Sequence, residues 1–234
     1  MTDHLRILKT RALDFWLARG AVLVVVALQL LSSGRVTVGP RWLAPVLELA
    51  LLIPLSAATA WTHDRVRRAT TDAHWQAIGR QHEVVRWLAT VLTAVVTIVN
   101  LGSLVLLVRE LIEGQAASGA VLLLDATNIW VTNVIAFTLW YWTVDRSGPA
   151  SRSSGLDGAP DFLFSNMVKD IRMPADWMPG FVDYLYLSFT NSTALSPADT
   201  LPLSQRAKLL MMFQACISLL TIVVVAARAV NILH

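Results

Sequence analysis

Long apolar runs alternate with short polar, basic stretches along this chain. Gly20–Gly34 lie between Arg19 and Arg35. This first run reaches back to about Phe15 if Arg19 extends its charge toward the surface. Trp42–Thr62 form a second run holding one acid, Glu48, and Trp87–Val108 a third without charge. Gly119–Val144 hold Asp125, and Leu209–Ala227 are uncharged. About 20 predominantly apolar residues suffice for a helix to cross a bilayer. A helix satisfies its own backbone polar groups there, which irregular chain cannot do. The pattern predicts an all-α polytopic bundle of about five transmembrane helices. Trp16, Trp42, Trp61 and Trp87 stand at run ends, and Trp140, Tyr141 and Trp142 close the fourth run. Such rings prefer the headgroup level. No small-residue cleavage site precedes Arg35 and Arg41, so the first run reads as a span rather than a signal peptide.

Composition strengthens this picture. Of 234 residues, 55% are hydrophobic and 15% charged, against roughly 25% charged in a soluble domain. The mean hydropathy is +0.56 and the pI about 9.4. The basic residues cluster beside the apolar runs, with no aromatic-interleaved basic surface, so no nucleic-acid partner is expected. The lone cysteine, Cys216, reads as a small core residue that forms no metal site.

Charge sets orientation. Arg6, Lys9, Arg11 and Arg19 belong to the N-terminal side. Arg65, Arg67, Arg68, Arg80 and Arg86 separate the second and third runs. Arg146, Arg152, Lys169, Arg172, Arg206 and Lys208 separate the fourth and fifth. Only Arg35, Arg41, Arg109 and Arg228 fall on the other side, a division of fifteen to four. The bias places the N-terminus in the cytoplasm and the C-terminus outside a cell (plasma) membrane, and it fits an odd number of crossings. Three regions follow: a four-helix transmembrane part over 1–144, a cytoplasmic loop over 145–178, and residues 179–234. The loop acids Asp157, Asp161, Asp170, Asp176 and Asp183 lack a paired base and are expected to solvate it.

The last region is less ordinary. Pro179 and Gly180 open a short, mostly apolar helix from Phe181 to about Thr193, too short to span. Ser196 and Pro197 break it, Asp199 and Pro202 follow, and the last run begins soon after. Leu185-Tyr-Leu-Ser-Phe-Thr-Asn-Ser-Thr193, then Ala-Leu-Ser-Pro-Ala-Asp199 and Pro202, resemble the pore helix and filter of potassium channels. Ser188, Thr193, Asp199 and Pro202 align there without gaps. The whole chain also resembles a group of actinobacterial multi-spanning membrane proteins with this element before the last helix. Ala194, Leu195, Ser196, Pro197 and Ala198 replace the filter Thr-Val-Gly-Tyr-Gly. A potassium filter stacks backbone carbonyls on glycine-dependent angles, whereas Pro197 fixes φ and lacks an N–H. The charge count also places the element on the cytoplasmic side, whereas that of potassium channels enters from outside. The resemblance implies a pore loop that is not potassium-selective, in a homo-oligomer passing monovalent ions. The plainer reading of these residues is an interfacial helix with Phe181, Tyr184, Tyr186 and Phe189 at the headgroups, in a non-conducting scaffold or accessory subunit.

Polar residues within the spans are the remaining candidates. Asp125, Asn128 and Thr132 share a face of the fourth helix, as do Gln214, Ser218 and Thr221 of the fifth. Asn100 sits midway along the third. Interhelical hydrogen bonding accounts for such faces, and they would line any aqueous path. Glu48 is an ion or proton site, or an acid reaching the interface. Arg228 extends outward or pairs with Asp125. No Walker loop, G-x-S-x-G or H-E-x-x-H occurs. His74 and His82 are eight apart, too far for a helical metal pair. The expectation is no enzyme, no cofactor and no metal.

Overall fold

The computed structural model describes residues 2–32, 36–40, 42–50, 52–53, 72–113, 119–149, 158–167, 177–193 and 200–232. Its elements are α1 (Thr2–Leu31), α2 (43–50), α3 (Asp72–Glu113), α4 (Gly119–Val144), β1 (Phe162–Phe164), α5 (Phe181–Ser192), β2 (Thr200–Pro202) and α6 (Gln205–Ile232). Among the described residues, four helices are long and apolar enough to cross a membrane: Leu13–Leu31, Arg86–Ile112, Gly119–Ser147 and Gln205–Ala227. The fold is an all-α helical bundle with one two-stranded antiparallel pairing, Phe162 opposite Pro202 and Phe164 opposite Thr200.

The second apolar run is helical over 43–50 and 52–53, and 54–62 lie outside the described residues. Ala44 and Pro45 border one cavity with Gln29 and Ser32. Leu52 borders another with Phe15, Ala18 and Val22. The chain therefore runs back along α1, antiparallel to it.

α1 and α3 both start at the end where α4 finishes. Phe15 packs edge-on against Trp142 at 5.3 Å. Further along, Trp140 Nε1 donates to Thr97 Oγ1 at 2.9 Å. α1 and α3 are thus parallel. This end, with the starts of α1, α3 and α6, is called the near end below. At the far end, residues 36–40 lie against α3. A Cβ on Gly102 would come 2.5 Å from Val38 Cγ2, so only glycine admits that approach.

α4 is the central helix. It is buried almost throughout its second half, from Thr132 to Leu139 and from Tyr141 to Thr143, about three turns of helix in all. Its neighbours cover it on all sides: α1 and α3 on one flank, α5 and α6 on the other. Lipid-facing helices instead bury one stripe. On α6, Ala207, Met211, Gln214, Ser218 and Thr221 are inward. Cys216 is exposed, so it belongs to the outer surface of α6 and not to the core. Trp16, Trp42 and Trp87 are also exposed, whereas Tyr141 and Trp142, expected at the headgroups, are buried. α5 covers the α4 surface on which these two rings lie.

α4 ends sharply. Arg146 and Ser147 adopt positive φ (50° and 64°), followed by Gly148 at 95°. A left-handed conformation costs a non-glycine residue about 1 kcal/mol. Here the turn points Asp145 back into the bundle, where it is fully buried.

Candidate functional site

α5 begins beside Trp142, whose ring meets Phe181 at 5.7 Å. It ends beside Trp130, whose Nε1 approaches the Ser192 carbonyl at 3.5 Å. Trp130 lies fourteen residues, or about 21 Å, before the end of α4. α5 thus descends well into the bundle. Thr200 nevertheless pairs with Phe164, and Phe164 packs on Tyr184 in the first turn of α5. The chain therefore leaves and regains the same end of the bundle. Residues 194–199, the filter-like stretch with Ala194, Leu195, Ser196, Pro197, Ala198 and Asp199, lie outside the described residues.

α5 starts where the chain supplies acceptors for its free amides. Asp183 Oδ2 accepts from Gly180 N at 2.8 Å, and Asp14 on α1 accepts from Phe181 N at 3.0 Å. Gly180 has no side chain to cap with, so Asp14 takes that role from another helix. A Cβ on Gly180 would meet Asp14 Oδ1 at 3.1 Å. Burial pushes the Asp183 carboxyl above its ordinary range, opposed by the backbone N–H groups of Gly180 and Asp183. Of the aromatic residues expected at the headgroups, Phe181 and Tyr184 are instead core, because they face α4 and β1. Tyr186 and Phe189, with Val182, form the exposed stripe.

The inner face of α5 is held by a compact polar cluster. Gln214 is fully buried. Its Nε2 donates to the Ser188 carbonyl at 2.9 Å and to Ser188 Oγ at 2.7 Å. Its Oε1 accepts from Tyr141 Oη at 2.5 Å and Asn191 Nδ2 at 2.9 Å. Ser188 Oγ donates onward to the Val134 carbonyl at 2.7 Å, and Asn191 Nδ2 also reaches the Met211 carbonyl at 3.0 Å. One amide thereby ties α4, α5 and α6 together with its whole hydrogen-bonding capacity in use. Deeper, Asn133 Nδ2 donates to Ser218 Oγ at 2.8 Å. Thr221 bonds its own helix at Ile217 O. Thr193 closes α5, its Oγ1 and N both reaching the Phe189 carbonyl at 3.1 Å.

A second cluster locks the near end. Asp145 Oδ1 accepts from Asp161 N at 2.7 Å, and Asp145 Oδ2 from Tyr184 Oη at 2.5 Å. Asp161, buried, receives Nε and Nη2 of Arg206, both at 2.6 Å. Asp161 was expected to solvate the loop; it is instead the anchor of α6, because Leu203 N also bonds its carbonyl at 2.8 Å. Asp157, Asp170 and Asp176 lie outside the described residues.

A third group sits at the far end between α1, α2, α3 and α4. A cavity of about 40 Å³ is bordered by Gln29, Ser32, Asn100, Asp125, Asn128 and Thr132, among others. That is room for a water or two. Ser32 Oγ donates to Asp125 Oδ1 at 3.1 Å, and Asn128 Nδ2 reaches the Leu28 carbonyl at 3.4 Å. Glu48 is fully buried and does not reach the interface. Its Oε1 accepts from Gln29 Nε2 at 2.7 Å. Glu48 Oε2 and Gln29 Oε1 are buried without a donor among the described residues. The side chain of Arg228 lies outside the described residues. Among the described residues no group of three His, Cys, Asp or Glu gathers as a metal site.

Asn191, Gln29 and Asp145 also carry these clusters, and their roles are not evident from the sequence. Tyr141 reads as an interface anchor from its place at a run end. The spacing of Ser188 and Asn191, three apart on one face of α5, was the available signal. Together these features are those of an all-α helical bundle whose four long apolar helices are compatible with an integral membrane protein. No family model matches the chain, nor does any curated protein or solved structure.

Proposed function

We propose that the protein is an ion-channel-like membrane protein in which α5 and the chain from Thr193 to Thr200 act as a re-entrant pore element. Its support is a single observation: a helix that stops partway through a bundle of spanning helices, from which the chain goes back to its starting end. Irregular backbone at membrane depth persists only where protein covers it or water reaches it. The carboxyl end of a helix carries partial negative charge, so α5 aims a field favourable to cations into the bundle. The Ala194–Ala198 stretch, with Pro197 in place of a filter residue, makes the path non-selective for potassium. One element cannot enclose a pore, so the working form is a homo-oligomer, with the N-terminus cytoplasmic.

A non-conducting scaffold is the competing reading, and the Gln214 cluster favours it. There the polar groups of α5 are turned inward and bonded within one protomer, as a purely structural tie would be.

Planar bilayers containing the full-length purified oligomer discriminate the two. The channel reading expects cation current altered by Asp199→Asn. Silent bilayers from well-folded oligomer refute it and leave the scaffold. Labelling of Ser196→Cys from the cytoplasmic face alone is the expected sidedness, and labelling only from outside would invert the topology.

A further inference from the structure

A large cleft on the bundle lies apart from the Gln214 and Glu48 clusters and touches the Asp145–Asp161 cluster only through Arg206. It has a volume of about 650 Å³ and opens at the near end between α3, α4 and α6, with Arg86, Thr90, Ser147, Arg206, Leu209 and Phe213 on its walls. Arg86 begins the apolar stretch of α3, and Arg206 is the second residue of that of α6. Both charges therefore stand at the depth where a spanning helix meets the headgroups. Below Arg206, Leu209 and Phe213 continue the same face of α6 at i+3 and i+7. Both are exposed. The walls thus grade from guanidinium to hydroxyl to hydrocarbon, matching the order of groups in a glycerophospholipid.

We propose that this cleft binds an anionic phospholipid, with its phosphate diester at Arg86 and Arg206 and an acyl chain along Leu209 and Phe213. The charge balance selects the anionic class. Asp161 already neutralises Arg206 through Nε and Nη2, leaving that residue's other N–H groups to donate. Arg86 has no ion pair among the described residues. Buried Asp145, bonded to Asp161 N and Tyr184 Oη, also acts on Arg206 from inside the bundle. Arg86 is therefore the cation on the cleft wall that a phosphate diester with an uncharged headgroup would balance. A zwitterionic lipid would bring its own ammonium toward Arg86. Basic pockets between helices at the membrane surface recognise anionic headgroups on this principle. The inference rests on membrane insertion and not on conduction, so a silent protein would still bind the lipid.

The test uses the full chain in neutral detergent, titrated with dioleoyl phosphatidylglycerol, dioleoyl phosphatidylcholine or inorganic phosphate. Native mass spectrometry and thermal unfolding are the readouts. Phosphatidylglycerol should be retained and raise the midpoint, at an affinity roughly fivefold above phosphatidylcholine for one unmatched charge. Inorganic phosphate should do neither. Arg86→Gln should abolish the preference while leaving the lipid-free midpoint unchanged, because Arg86 is exposed. Arg86→Lys should retain it, and Leu209→Trp, which fills the acyl end, should lower retention of both lipids. Equal retention of the two lipids overturns the proposal, as does a preference that survives Arg86→Gln. A midpoint shift from inorganic phosphate alone would assign the site to a soluble anion instead.

Discussion

Two of the three buried polar regions differ in how completely their central side chain is bonded, although on the Gln214 side Asn133 Oδ1 is also buried without a donor among the described residues. Around Gln214, the amide uses both its donors and its acceptor within 2.9 Å, joining three helices. At the far end, Glu48 and Gln29 share one hydrogen bond of 2.7 Å, and each keeps a buried oxygen without a donor among the described residues. A cavity of about 40 Å³ lies alongside. A finished network rigidifies, because every change to it strands a partner in low dielectric. An unfinished one has capacity for water or an exchangeable ligand. The α4–α5–α6 side thus holds the short helix in place, and the α1–α2–α3–α4 side keeps polar capacity beside a cavity.

Mutations can break this contrast, beginning with the largest effect. Gln214→Leu should remove four hydrogen bonds at once. It leaves Tyr141 Oη without its acceptor, while Ser188 and Asn191 keep the Val134 and Met211 carbonyls. The cost should be about 3 kcal/mol, on the basis of somewhat under about 1 kcal/mol per bond in membrane bundles. The check is a lowered unfolding midpoint in detergent together with protease access near Ser192. A cost no greater than that of Glu48→Gln would erase the distinction. Asp161→Ala removes the bidentate partner of Arg206 and should cost about 2 kcal/mol. Its signature is loosening of the α6 N-terminus in hydrogen exchange at Leu203 and Ala207. Tyr184→Phe deletes one hydrogen bond to Asp145 without changing the packing on Phe164, for a loss of about 1 kcal/mol. Glu48→Gln should be the mildest, within about 0.5 kcal/mol. A glutamine keeps the carbonyl that Gln29 Nε2 contacts and adds a donor for one of the stranded oxygens. Destabilisation above 2 kcal/mol would mean that the carboxyl at Glu48 has a role its amide cannot replace.

Much of this was legible in the sequence. The fourth run, Gly119–Val144, coincides with α4, and the short helix read as Phe181 to about Thr193 is α5 at Phe181–Ser192. The faces Asp125–Asn128–Thr132 and Gln214–Ser218–Thr221 are both buried. What the sequence did not disclose is which of these faces meet. Gln214 and Tyr141 are 73 positions apart, and Asp145 and Tyr184 are 39 apart. Asp161 reads as one more loop acid until Arg206 is seen across from it. Cys216 reads as core until the stripe of α6 that faces the bundle is known.

Membrane crossing is a property each segment carries locally. The transfer free energy of a run is close to a sum over its residues, so apolar length alone determined the helices, and the distribution of arginine and lysine supplied an expected orientation. Pairing among the buried polar groups is not local. It depends on the rotation and depth of every helix relative to its neighbours, and on a short helix whose depth is set by contacts with α4 rather than by its own composition. Only the tertiary structure could decide that Gln214 is a closed tie, that Glu48 is buried rather than at the surface, and that two arginines overlook one cleft.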